Sequence, residues 1–141
     1  MQKILVSVGN PLKSDDNIAN IVIKKVRFDG KKICAGPNPE NFLHILKDAE
    51  FVIFLDAVDW GGRAGDVKFF RIEDVHTIFS STHSIPIDLI ARLLNKKIAI
   101  IGIQPYNIGY GIGISKELKK QLKGIVSKTE RILDKICKDL I

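Results

Sequence analysis

Cysteine is scarce. Cys34 and Cys137 alone, in 141 residues, are too few and too far apart for a disulfide framework or a zinc-ribbon spacing. They are expected to be two reduced, buried thiols. No apolar run approaches the roughly 18 residues that cross a bilayer, so no membrane insertion is expected. Met1-Gln2-Lys3 leads directly into a short strand-like segment, with none of the long apolar region and small-residue cleavage site of a secretory leader. A cytoplasmic location is the expectation. Neither G-x-G-x-x-G nor the lysine-bearing phosphate loop occurs, which leaves Gly9-Asn10 a weak nucleotide signal. Repeats, low-complexity tracts and linkers are also missing. Residues 1–141 therefore read as one domain, and an apolar share of 45% is ample for a core.

What is abundant is positive charge. A net charge of +6 invites a nucleic-acid reading. The lysines are scattered, however, except for Lys116, Lys119, Lys120, Lys123 and Lys128 near the C-terminus, where Glu117, Glu130 and Asp134 intervene. A solvated helix face accounts for that pattern better. An RNA-binding domain would need a contiguous lysine face and strongly salt-dependent binding. No nucleic-acid partner is expected.

The chain is organised around Phe51-Val52-Ile53-Phe54-Leu55-Asp56, an apolar run ending in a carboxylate. Such a run predicts a strand buried on both faces. A buried Asp56 must find a cation, a donor or a proton. Lys97 to Ile103 predicts a second such strand, and 3–8 and 32–35 two shorter ones. Residues 66–72 predict a fifth, joined to the central strand by too short a loop for a helical crossover, so an antiparallel pairing of the two is expected. Helices are expected from Ser14 or Asp15 as cap to about 27, from Asn38 or Asn41 up to the central strand, briefly over 73–79, from Pro86 through Leu94, and from the N-cap Ser115 onward. The fold class is α/β, a three-layer α/β/α sandwich with one antiparallel strand. In such folds sites lie beyond the carboxyl ends of the parallel strands. Asp16 follows the first strand, Asp56 ends the third, Gln104 follows the last, and His83 begins a loop-to-helix junction.

One imidazole and two carboxylates can hold a divalent transition metal and leave positions open. The same two acids could instead work as a metal-free acid–base pair. Each residue also has a purely structural role available: Asp16 as a helix-start carboxylate, Asp56 satisfied by backbone amides, His83 bonded locally to Thr82 or Ser84. His44 and His76 lie in helical patterns and are read as structural.

Four ordered motifs sharpen the choice. Gly9-Asn10…Asp15-Asp16, Asp56-Ala57-Val58-Asp59…Gly65-Asp66-Val67, Thr82-His83-Ser84-Ile85-Pro86 and Gly102-Ile103-Gln104-Pro105, with Pro39-Glu40-Asn41 beside them, resemble the hydrogenase maturation endopeptidases. The branch that processes the large subunit of hydrogenase 3 is the nearest in pattern. The chain departs from the family's usual glycines at Asn17 and Ala19, and its D-G-G is Cys34-Ala35-Gly36 here. The resemblance implies a mostly parallel five-stranded sheet. It also implies an endopeptidase that removes the C-terminal extension of a [NiFe]-hydrogenase large-subunit precursor after nickel insertion. By motif position, Asp16, Asp56 and His83 would be catalytic and contact the metal. Gly36, Asp59 and Gln104 would position the substrate. No permanent cofactor is expected: nickel arrives with the precursor, and zinc or cadmium could occupy the same ligands. A different-class alternative is a nickel-binding accessory protein that recognises the loaded precursor without cutting it.

Overall fold

The computed structural model describes residues 2–74 and 83–139. Five strands, β1 (Lys3–Val8), β2 (Lys31–Gly36), β3 (Phe51–Ala57), β4 (Val67–Arg71) and β5 (Lys97–Ile103), form one sheet in the order β2-β1-β3-β5-β4. All neighbours are parallel except β4 and β5. β3 is buried along its whole length, as its unbroken apolar run requires. Alternation divides its side chains between two cores. Ile53, Leu55 and Ala57 face the layer built by α1 (Ile18–Val22) and α4 (Lys116–Asp139). Val52, Phe54 and Val58 face the layer of α2 (Leu43–Leu46) and α3 (Ser84–Leu94). The expected three-layer sandwich is therefore what forms.

One expected pairing is corrected. β4 runs antiparallel to β3 in direction, but its neighbour is β5, which lies between them. The apolar content of the two strands explains the order. β5 is buried over Ala99–Ile103 and needs a neighbour on each side. β4 exposes Lys68, Phe69 and Arg71 and tolerates an edge, where the charged residues discourage further pairing.

Of the helices near the site, the first is shorter than its periodicity suggested, whereas α3 begins at Ser84 instead of Pro86. The first begins as a 3-10 turn over Ser14–Asn17 and is regular α-helix only through Val22, with single turns continuing to Val26. Neither Ser14 nor Asp15 caps it through a side chain. α3 starts at Ser84 and stops at Asn95, which takes the left-handed conformation tolerated by asparagine. α4 begins as expected, with Ser115 Oγ accepting the Leu118 amide at 3.3 Å. It buries Leu118, Ile125, Thr129 and Leu133, and the Thr129 hydroxyl is satisfied by Ile125 O at 2.7 Å. Cys34 is exposed, not buried, and Cys137 is half-buried. The expected helix over 73–79 is seen as a 3-10 turn at Ile72–Asp74, and its remainder, with His76, lies outside the described residues. No helix of the described residues is long and apolar enough to cross a membrane.

The end of β1 lies directly on the 3-10 turn that follows it. A Cβ on Gly9 would sit 2.3 Å from the Asp16 carbonyl oxygen and 3.2 Å from Asn17 Cα, both backbone atoms that cannot rotate away. Gly9→Ala is accordingly expected to destabilise the protein by about 3 kcal/mol. A urea midpoint indistinguishable from wild type would show that the turn yields more easily than this packing implies.

Candidate active site

The order β2-β1-β3 reverses the direction of winding between β1 and β3, and such a switch point opens a crevice at the carboxyl ends of the two strands. Asp16 reaches it from a compact loop. Asn10 N donates to Asp16 Oδ2 at 2.9 Å, Lys13 N to Asn10 O at 3.1 Å, and Asp16 N to Lys13 O at 3.0 Å. Ser14, inside that loop, adopts φ 49, a left-handed conformation costly for a residue with a Cβ. Asp56 is wholly buried at the end of β3, and by alternation it falls on the α3 side of the sheet with Phe54 and Val58. His83 occupies the N-cap position of α3, its carbonyl accepting the Ile87 amide at 3.1 Å. Its side chain meets the first loop: Nε2 donates to Asp16 Oδ2 at 3.0 Å, in a pair almost closed to solvent. Thr82, the residue before it in the motif, lies outside the described residues.

Two residues 67 positions apart thus share one buried hydrogen bond. Burial alone would push the His83 pKa down. The hydrogen bond to Asp16 and the charges of Asp56 and Asp16 oppose this and prevail, against a counteracting charge on Lys13, so the imidazole is held above its ordinary value. Asp56 therefore acts on the same group as Asp16.

The donors, imidazole nitrogen and carboxylate oxygen, suit a borderline divalent ion such as nickel or zinc. Among the described residues, no three His, Cys, Asp or Glu side chains are already gathered as a ligand set. An ion bound here would take the place of the proton between Asp16 and His83. Two linked outcomes are expected. Zinc or cadmium affinity falls as pH drops below the raised His83 value, with proton release that calorimetry in buffers of different ionisation enthalpy detects. Without metal, the pair's stabilisation is complete below the ordinary imidazole value and is lost as pH rises through the raised one, which urea midpoints across that interval measure.

Gln104 and Asp59 meet beside this crevice. Gln104 Nε2 donates to Asp59 Oδ1 at 3.0 Å, while Gln104 Oε1 accepts the Trp60 and Gly62 amides at 3.0 and 3.1 Å. The Gln104 bond, with that from the Gly61 amide, holds the Asp59 carboxyl below the usual carboxylate range. Gln104 is buried and fixes the loop after β3; Asp59 is exposed. Gly36 ends β2 with φ +66 and open space where a Cβ would stand, and its carbonyl accepts the Gly9 amide at 2.9 Å.

Sequence reasoning missed two polar centres. Asp15, taken there as a cap, is fully buried and accepts the Tyr106, Asn107 and Ser115 amides and the Ser115 hydroxyl, at 2.6–3.0 Å. It binds the first loop to the segment entering α4. Asn20 receives the Ser7 hydroxyl at 2.8 Å and donates to Gly9 O at 3.0 Å and Asn17 Oδ1 at 2.8 Å. Asn17 itself has φ −88, so its position makes no demand for glycine. The adjacent acids Asp15-Asp16 were visible as a pair in the sequence; their division of labour depends on partners 67 to 100 residues away.

Comparison with known proteins gives a consistent set of likenesses. Residues 22–132 match the family model for hydrogenase maturation proteases, a span that includes Asp56 and His83 but begins after Asp16. A Methanocaldococcus jannaschii protein named as a candidate hydrogenase maturation protease is 28% identical over 151 aligned positions, covering 94% of this chain and 89% of that protein. Among solved structures, the hydrogenase-maturating endopeptidase HybD of E. coli superposes with a TM-score of 0.77 at 20% identity, covering 96% of this chain and 93% of that one. The HycI [NiFe] hydrogenase maturation protease of Thermococcus kodakarensis gives 0.72 at 21%, covering 94% and 92%. The two structural likenesses establish a common fold.

Proposed function

Since the chain belongs to the hydrogenase maturation protease family, and is an endopeptidase on that ground, we propose that it removes the C-terminal extension of a [NiFe]-hydrogenase large-subunit precursor in the cytoplasm, and does so only once nickel has been inserted. In this reading Asp16, Asp56 and His83 contact the nickel that the precursor carries. The observation that supports it most is the buried Asp16–His83 hydrogen bond at the sheet's switch point, with Asp56 acting on the same imidazole. A ligand set of two carboxylates and one imidazole leaves coordination positions open. It suits an ion that brings its remaining ligands with it. Recognition and hydrolysis are then coupled, because the scissile peptide is positioned only when the metal is docked.

Gly36, Asp59 and Gln104 position the tail in this proposal. Gln104 does so indirectly, by holding the amides of Trp60 and Gly62 in place. The exposed side chains of Leu12, Tyr106, Tyr110 and Ile112 offer apolar surface to the folded body of the precursor. The deciding experiment mixes the protein with precursor prepared with and without nickel and weighs the products. Loss of a C-terminal peptide from the nickel-loaded form alone is the expected result. Cleavage of both forms would remove the nickel requirement. Binding of the loaded form without shortening would favour an accessory protein instead.

A further inference from the structure

The glycine of the Gly65-Asp66-Val67 motif has no part in the site described so far, yet it is buried and adopts φ +92. Against it lies the side chain of Gln121, from the second turn of α4. A Cβ on Gly65 would stand 2.2 Å from Gln121 Oε1 and 2.6 Å from its Cδ. The carboxamide could swing clear only by abandoning its own bonds, since Gln121 Nε2 donates to Ala64 O at 2.8 Å and to Glu117 O at 3.2 Å. α4 thus grips the loop between β3 and β4 from outside, at Ala64, while Gln104 grips it from within, at Trp60 and Gly62. The same helix begins on the loop that carries Asp16, where Ser115 N and Oγ donate to Asp15 at 2.6 and 2.8 Å. The start of one helix therefore ties down both loops.

We infer that Gln121 is a positioning residue for the substrate tail: through Ala64 O it fixes the loop that presents Asp59 and Trp60, and so sets affinity for the precursor without acting on the metal ligands. The inference rests on the role proposed above for that loop in holding the tail. A loop already held in its bound shape loses less conformational freedom when the tail arrives, so its tether strengthens binding without touching the substrate. Gly65 is the other half of the device. Only a residue with no side chain lets the carboxamide lie on the backbone there, and only such a residue takes φ +92 without strain. A tie between helix and loop with no bearing on substrate predicts a loss of stability alone.

The test compares wild type with Gln121→Met and Gln121→Glu, which keep the length of the side chain and lose its N–H donor. Gln121 is half-buried, and circular dichroism is expected to show all three folded. With nickel-loaded precursor as substrate, both variants should raise KM about tenfold and leave kcat near that of wild type. Zinc affinity should stay as in wild type, because Asp16, Asp56 and His83 stand on other elements. Trp60, the single tryptophan of the chain, reports on the loop directly: its ring meets Phe70 edge-on at 5.3 Å, and its quenching by acrylamide should increase in both variants. Unchanged KM and unchanged quenching would overturn the inference, as would a parallel fall in zinc affinity, the mark of a general support of the fold. Increased quenching with an unmoved KM would remove the loop's role in holding the tail, and the inference with it. If the wild type shortens no precursor, the endopeptidase reading itself falls, a result distinct from equal KM values in proteins that cut.

Discussion

Asp16→Asn yields a folded protein whose shortening of nickel-loaded precursor is reduced at least about a hundredfold. The substitution preserves side-chain volume, and an amide oxygen can still accept the Asn10 amide that Asp16 Oδ2 receives at 2.9 Å. What disappears is the negative charge facing His83 Nε2 at 3.0 Å. An asparagine is a poor ligand for a divalent ion and cannot hold the imidazole in the same protonation state. His83→Ala should match it in activity, and the double variant should lose little more than either, because the two side chains act as one unit. Single-turnover cleavage, followed by mass, checks all three. Retention of more than half the wild-type rate by Asp16→Asn would remove Asp16 from the proposed site.

Replacement of its neighbour has the opposite signature. Asp15→Ala is expected to lower stability by about 4 kcal/mol, since the buried carboxylate accepts hydrogen bonds from Tyr106 N, Asn107 N, Ser115 N and Ser115 Oγ. Without it, two loop amides and the first amide before α4 face a cavity that only water could fill. For a domain of this size the melting temperature should fall by roughly 10 °C. Asp15→Asn keeps one acceptor and should lose about half as much. Activity falls in both because the loop that fixes Asp16 is released, but saturating substrate should recover more of it than in Asp16→Asn. Denaturant midpoints and the split between kcat and KM separate the two positions. An Asp15→Ala protein as stable as wild type would mean the 106–115 segment is held by other contacts.

The sequence made some of this legible for definite reasons. β3 could be read because an unbroken apolar run has few other interpretations, and its closing Asp56 marked the sheet's carboxyl edge. His83 was legible through the proline that follows it at a helix start. The neighbour of β4 was not, because loop length limits how strands can be joined and says nothing about a strand inserted later between them. Asp15 was opaque for a related reason. Capping is a local pattern, whereas its acceptors' partners lie 91 to 100 residues along the chain. The shortness of α1 follows from the same loop, whose backbone is committed to the Gly9–Asp16 contact and to a 3-10 geometry before the helix can begin.

The position of β5 between β3 and β4 has a consequence for biosynthesis. As the polypeptide emerges from the ribosome, β4 appears before the strand it must pair with, and it has to wait for Lys97–Ile103. The anchor for the Asp15 loop comes later still, with Ser115. A nascent chain that already displays Asp16 and Asp56 thus has no finished edge until β5 and Ser115 have emerged.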